Sequence, residues 1–144
     1  MVTIHATCVA FSGKGVLLRG PSGSGKSDLA LRALAAGARL IADDRVELAV
    51  QGDSLIASAP ESLFGLIEVR GLGVVKVQAD AWAPVALVAD LGPDSVVDRM
   101  PEQLHCEVGG VTLPWMLLAP FESSAVAKLH LALQTVLEPE RLLQ

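Results

Sequence analysis

The sequence predicts an α/β domain with a mixed, hairpin-rich sheet, and three observations carry that expectation. Hydrophobic residues make up 51% of the 144 and charged ones 19%, enough to bury a sizeable core and far from a disordered composition. Short β-branched runs alternate with glycine-rich turns along most of the chain. Only two stretches carry helical periodicity, and one of them directly follows a Gly-x-x-x-x-Gly-Lys-Ser segment. No repeat, linker or low-complexity tract divides the chain, so residues 1–144 read as one domain.

The elements follow in order. Val2 to Phe11 is rich in β-branched residues and stops at the turn Ser12-Gly13-Lys14-Gly15, after which Val16-Leu17-Leu18 resumes as the second arm of a hairpin. Ser27 to Ala36 is a helix with Ala30, Ala33, Leu34 and Gly37 on one face and Gly37 as its C′ residue. Arg39 to Ala42 is a short buried strand closed by Asp43-Asp44. Val46–Val50 and Leu55–Ala59 flank the turn Gln51-Gly52-Asp53-Ser54, Pro60–Gly65 suits one helical turn, and Leu66–Val69 with Val74–Val77 are strands. Val85–Val88 is another strand, and His105–Val108 with Val111–Leu113 form a hairpin around Gly109-Gly110. Glu122 to Leu137 closes the chain as a helix whose Val126, Leu129, Leu133 and Val136 share an apolar face. So many hairpins exclude an all-parallel sheet.

Charge and cysteine content remove several function classes. Eleven Lys+Arg against sixteen Asp+Glu give a net charge of −5, which argues against a nucleic-acid or membrane-surface footprint. No apolar run reaches the ~18 residues of a membrane span, and the amino terminus lacks the pattern of a signal peptide. Cys8 and Cys106 make neither a disulfide framework nor a metal motif and read as buried free thiols in a reducing cytoplasm.

The strongest chemical signal is Gly20-Pro21-Ser22-Gly23-Ser24-Gly25-Lys26-Ser27, a complete P-loop between an apolar strand and a helix. Glycines let backbone N–H groups turn inward around an anion, and the helix amino end adds a favourable dipole. Lys26 would reach β/γ-phosphate oxygens and the Ser27 hydroxyl would ligate Mg²⁺, so ATP and Mg²⁺ are the expected ligands. Asp28, in the first helical turn, reads as a carboxylate favourable to the helix dipole.

Carboxylates to accompany the loop are available in three places. Asp43 and Asp44 end a strand, where ligand sites of α/β proteins collect, and point to different sides of an extended chain; an ordinary acidic turn is the plain alternative. Glu68-Val69-Arg70-Gly71-Leu72-Gly73 sends an acid and an arginine into a glycine bend, which suits metal binding and charge neutralisation. Asp90, after Val85–Val88, has equal standing by pattern. His5, His105 and His130 read as structural when taken alone, and Arg99 as surface decoration.

Taken together, His5, Gly20 to Ser27, Ala42-Asp43-Asp44-Arg45-Val46-Glu47 and Ile67-Glu68-Val69-Arg70-Gly71-Leu72-Gly73-Val74 resemble, in order and spacing, the catalytic domain of the HPr kinase/phosphorylase family. The resemblance runs from about His5 to the last helix and suggests a form confined to the catalytic domain. It implies a fold like that of phosphoenolpyruvate carboxykinase and a serine kinase acting on HPr, the phosphocarrier of the sugar phosphotransferase system. It further implies that Asp44 accepts the serine proton, that Ser27 and Glu68 are Mg²⁺ ligands, and that His5, Lys26 and Arg99 belong to the active site. Homo-oligomers are known among the relatives and enter as an open expectation. The sequence departs from the family in two places. Ala6 stands where glycine is usual, and Ala119-Pro120-Phe121-Glu122 stands in place of an Arg-Pro-Gly-Arg loop associated with phosphorolysis. Losing two cations and gaining Glu122 should weaken phosphorolysis. A small-molecule P-loop kinase and a nucleotide sensor without phosphotransfer are the competing readings.

Overall fold

The computed structural model describes residues 1–143. Eleven strands and two helices form the scaffold: β1 Val2–Ile4, β2 Thr7–Phe11, β3 Lys14–Arg19, α1 Lys26–Ala35, β4 Arg39–Ala42, β5 Val46–Gln51, β6 Ser54–Ser58, β7 Leu66–Val69, β8 Gly73–Lys76, β9 Trp82–Leu91, β10 Leu104–Val108, β11 Val111–Leu118 and α2 Ala125–Leu137. Nine strands share one mixed sheet in the order β1-β5-β6-β9-β3-β2-β4, with the β10–β11 hairpin joined to β9 through β11. β7 and β8 form a separate hairpin.

β9 organises the sheet. Its first residues pair antiparallel with β6, Ala83 opposite Ala57. Its later residues run parallel to β3 on one side, Val88 opposite Leu17, and to β11 on the other, Val88 opposite Trp115. A strand flanked on both edges and covered on both faces must be apolar at nearly every position. Val85, Leu87, Val88, Ala89 and Leu91 are accordingly buried.

Strand alternation sorts the interior into two cores. Val16 and Leu18 of β3 face the helical layer with Leu29, Ala30 and Ala33 of α1 and Leu129 and Leu133 of α2. Leu17 faces the other side with Cys8, Ile41, Val46, Leu48, Leu55, Val88 and Leu113. Helix α1 stops because Gly37 takes φ 100° as the chain leaves the helix, and the Ala38 N–H returns to the Ala33 carbonyl in the bond pattern of a Schellman end.

Several sequence expectations are corrected. Val2 to Phe11 is not one strand: β1 pairs with β5, β2 pairs with β3 and β4, and the chain changes partner at His5-Ala6. β-branched residues suit both halves equally, so composition hides the break. The strand expected at Val85–Val88 extends to ten residues, and α2 begins at Ala125 rather than Glu122, after a turn in which the Ala125 N–H bonds the Glu122 carbonyl. Pro60–Gly65 supplies a single 3₁₀ turn, Glu61–Leu63. Cys8 is buried and its thiol is pushed up to about 12 by loss of solvation, whereas Cys106 is only half-buried. No helix among the described residues is long and apolar enough to cross a membrane.

Helix α2 offers a direct test of which face holds the domain together. Leu129→Ala should lower stability by about 3 kcal/mol through the lost contacts and the cavity left behind, and Leu131→Ala, at an exposed position, by less than about 0.5 kcal/mol. Urea midpoints of the two variants give the comparison.

Candidate functional site

The segment Gly20–Ser27 joins the end of β3 to the start of α1 and curls over the helix amino end. Gly25 occupies the N-cap with φ 98°, a conformation that costs other residues energy, and no side chain caps the helix. The first N–H groups of α1 are therefore left for whatever enters the loop. Lys26 opens the helix and is buried, its Nζ donating to the carbonyls of Gly20 at 2.6 Å and Pro21 at 3.0 Å. Burial lowers its pKa, against the opposing pull of Asp43 and Asp44. The Ser24 hydroxyl lies buried inside the loop with no hydrogen-bond partner among the described residues, a polar atom open to a ligand or water.

Asp43 lies beneath this loop and is buried. Its Oδ1 accepts from the Ser27 hydroxyl at 2.7 Å and the Thr7 hydroxyl at 3.0 Å, and its Oδ2 accepts from the Glu68 backbone N–H at 3.1 Å. One carboxylate thus ties β2, α1, the end of β4 and β7 together. Sequence reasoning left Asp43, Asp44 and Asp90 as rivals, and the geometry separates them. Asp90 is committed elsewhere: Arg19 holds both of its oxygens, at 2.7 and 3.0 Å, and the Trp115 indole N–H donates to Oδ2 at 2.8 Å. That clasp joins β3, β9 and β11 and leaves Asp43 as the carboxylate in contact with Ser27.

Asp44 turns the other way. Its φ of 70° is positive, and the Arg45 N–H bonds back to the Asp43 carbonyl at 2.8 Å, the signature of a γ-turn of the rare positive-φ kind. Such a residue costs on the order of 1–3 kcal/mol, and Asp is among the few side chains that visit this region. The turn is what splits the pair: Asp43 stays inside while the Asp44 side chain is 59% exposed. The break between β1 and β2 brings His5 to the same place, its Nδ1 3.3 Å from Asp44 Oδ1. His5 read alone as a strand histidine; in the structure it sits in the gap between strands and pairs with an exposed carboxylate.

Glu68 projects into a cleft of about 550 Å³ that it shares with Gly23, Gly25, Ser27, Arg70 and Phe121. Asp44 lines a second, more open depression with Thr3, Arg45, Glu47 and Ser62. Arg99 lies exposed on the segment between β9 and β10 and, among the described residues, has no hydrogen bond or ion pair tying it to the site. Asp28 forms an i,i+4 pair with Arg32, 3.1 Å apart, on the first turns of α1. No group of three or more metal-ligating side chains occurs among the described residues. Two or three oxygen donors around Ser27, Asp43 and Glu68 fit a Mg²⁺ ion that shares its coordination with phosphates, since that ion keeps few protein ligands.

The two neighbouring aspartates are separable by stability. Asp43→Ala removes the acceptor of three donors, two hydroxyls and a backbone N–H, and should destabilise by about 2–3 kcal/mol. Asp44→Ala, at an exposed position, should cost only about 1 kcal/mol, chiefly because alanine tolerates the positive φ less well than aspartate. Chemical denaturation of both variants checks the contrast.

Residues 1–81 match the profile of the family described as HPr Serine kinase C-terminal domain. An HPr kinase/phosphorylase of Geobacillus thermodenitrificans is 42% identical over 108 residues, covering 67% of this chain and 35% of that protein. One from Limosilactobacillus reuteri is 46% identical over 124 residues, covering 78% of this chain and 39% of the other. The chain therefore spans between a third and two fifths of the length of these two curated relatives. A solved structure of the Hpr(Ser) kinase/phosphatase from Coxiella burnetii superposes with a TM-score of 0.78 at 26% identity, covering 98% of this chain and 97% of that one. With the profile spanning more than half of its residues and a whole-chain structural match, the chain belongs to the HPr serine kinase C-terminal domain family.

Proposed function

We propose that this domain transfers the γ-phosphoryl group of ATP to a serine hydroxyl of an HPr-type phosphocarrier protein, in a cytoplasmic setting and on a P-loop kinase fold of the phosphoenolpyruvate carboxykinase kind. The observation that carries the reading is the exposed His5–Asp44 pair, set one residue beyond the buried Asp43 that grips Ser27 of the loop. A candidate base and a candidate phosphate loop are thereby fixed to one another through two successive residues. Family membership and the relatives' own description as HPr kinase/phosphorylase support the substrate class.

The chemistry follows from the geometry. The backbone of Gly20–Ser27 and the uncapped amino end of α1 cradle the β- and γ-phosphates. Lys26 exchanges its two carbonyl partners for phosphate oxygens, a swap favoured because burial weakens the competition from water. Mg²⁺ bound by Ser27 and Glu68 would neutralise charge on the phosphates. Asp44 accepts the serine proton, and the His5 imidazole orients that carboxylate toward the incoming hydroxyl. Exposure of both side chains suits a protein substrate, whose serine arrives on a loop, better than a metabolite enclosed in a pocket. The open depression beside Asp44 is the natural seat for that loop. Arg99 could balance charge on the transferring group only by moving in with the substrate, since nothing fastens it to the site beforehand.

Phosphorolysis is a different demand, because it requires a second phosphate dianion beside the loop. Where the resemblance puts arginines this chain has Ala119 and Glu122, with Glu122 beside Lys128, 2.5 Å away, and Phe121 between them lies against Gly25. The hydrogen bond from Lys128 holds the Glu122 carboxyl below its ordinary range, and the pairing commits that lysine's charge to Glu122 rather than to an added phosphate.

Intact-mass spectrometry of an HPr-type carrier incubated with the domain and ATP-Mg²⁺ tests the transfer. A gain of about 80 Da, one phosphoryl group, should appear and map to serine. Lys26→Ala should lower the rate on the order of a hundredfold or more by removing a charge from the phosphate site. Asp44→Asn should keep ATP affinity and lose transfer. ATP binding with no mass gain would favour a sensor that docks partners in its nucleotide-bound form. A second expectation concerns the reverse direction: phosphorylated carrier incubated with inorganic phosphate should lose its phosphoryl group far more slowly than it gained it, and comparable rates would contradict the role given to residues 119–122.

A further inference from the structure

The cleft beside Ser27 is larger than a phosphate site requires, and its polar and apolar linings are contributed by different residues. The loop glycines, Ser27, Asp28, Glu68 and Arg70 supply the polar lining, while Leu31, Val69 and Phe121 supply the apolar part. Its volume of about 550 Å³ falls in the range of sites that hold a whole small molecule.

Phe121 is the unusual member. The chain has three phenylalanines, two tryptophans and no tyrosine, yet this ring is left 72% exposed beside the loop. It touches the loop closely enough that a Cβ placed on Gly25 would lie 2.9 Å from its Cζ. The ring is also held in place. Arg32 of α1 donates to the carbonyls of both flanking residues, Pro120 through Nη2 and Glu122 through Nη1 at 3.4 Å. Asp28 steadies the same guanidinium from one turn earlier, and Lys128 fixes Glu122 from α2. An exposed aromatic normally rotates in solvent and stabilises nothing; this one is braced through the backbone on either side and lines the cleft.

We infer that Phe121 is the stacking platform for the base of the nucleotide whose phosphates occupy Gly20–Ser27. The inference rests on the nucleotide-binding reading above and adds to it the residue that recognises the base. Aromatic faces bind bases by stacking, which tolerates changes of ring pattern because every base has a π-face.

Calorimetric titration of the intact domain with ATP-Mg²⁺ and, separately, with inorganic tripolyphosphate-Mg²⁺ tests this, on wild type, Phe121→Ala and Phe121→Trp. Phe121→Ala should weaken ATP about tenfold, the worth of one stacked base, and leave tripolyphosphate unchanged. Phe121→Trp should keep ATP affinity and show a fluorescence change, relative to wild type, with ATP but not with tripolyphosphate. Equal weakening of both ligands in Phe121→Ala would mean that the ring only supports the loop, and would overturn the inference. So would unchanged ATP binding in that variant. Failure of wild type to bind either ligand would overturn the nucleotide reading itself, and with it this one.

Discussion

The buried carboxylate of Asp43 is the constraint on which the arrangement of the site depends. A charge removed from water must be compensated by donors, and this one finds three: two hydroxyls and a backbone N–H from segments that are far apart in the chain. Because each donor comes from a different element, satisfying Asp43 also fixes where β2, α1 and β7 stand relative to the end of β4. Ser27 is held against the floor of the loop, and the β7–β8 hairpin is drawn in so that Glu68 reaches the cleft. The same interaction thus serves solvation of a charge, tertiary alignment and placement of two prospective ligand groups.

The γ-turn at Asp44 converts that buried anchor into an exposed site within a single residue. Extended backbone alone would also have put neighbouring side chains on opposite faces. The left-handed turn does more, since it halts β4 and leaves Asp44 beside the gap between β1 and β2 where His5 stands. Local strain there is sustained by neighbours on both sides: Asp43 by its donors, and Val46 by its burial and its pairing with Ile4. Strained residues persist where the surroundings over-determine them. At the end of β3 the Arg19–Asp90–Trp115 clasp binds three strands and leaves no Asp90 carboxylate oxygen free of a donor.

Much of the fold was legible in the sequence where the signal is local. The Gly-Lys-Ser loop, the helix that ends at Gly37, the hairpin turns and the apolar stripe of α2 all announce themselves through turn chemistry or period. What could not be read was partner choice. Val2 to Phe11 looks like one strand because β propensity does not say which neighbour a strand will pair with, so the placement of His5 was hidden. Asp43, Asp44 and Asp90 are equivalent by pattern and are told apart only by non-local donors such as Thr7, Glu68 and Arg19. Phe121 gave no signal, since an aromatic beside a proline in a turn carries no period, and its bracing comes from Arg32, far away in the chain.

The double allegiance of β9 has a consequence for how the domain comes into being. β3, which leads into the phosphate loop, runs parallel to a strand some seventy residues further on, and the Arg19–Asp90 contact spans 71 positions. β9 in turn receives its other parallel neighbour only from β11, ending at Leu118. Parallel pairings across long stretches of chain close slowly, because the entropy of the intervening loop is lost before the contact repays it. During synthesis the β2–β3 hairpin and α1 emerge before β9 and β11 and must wait for them before their sheet is complete. The Gly20–Ser27 loop is therefore made before the strands that complete its sheet, and it acquires its final support only once β9 and β11 are in place.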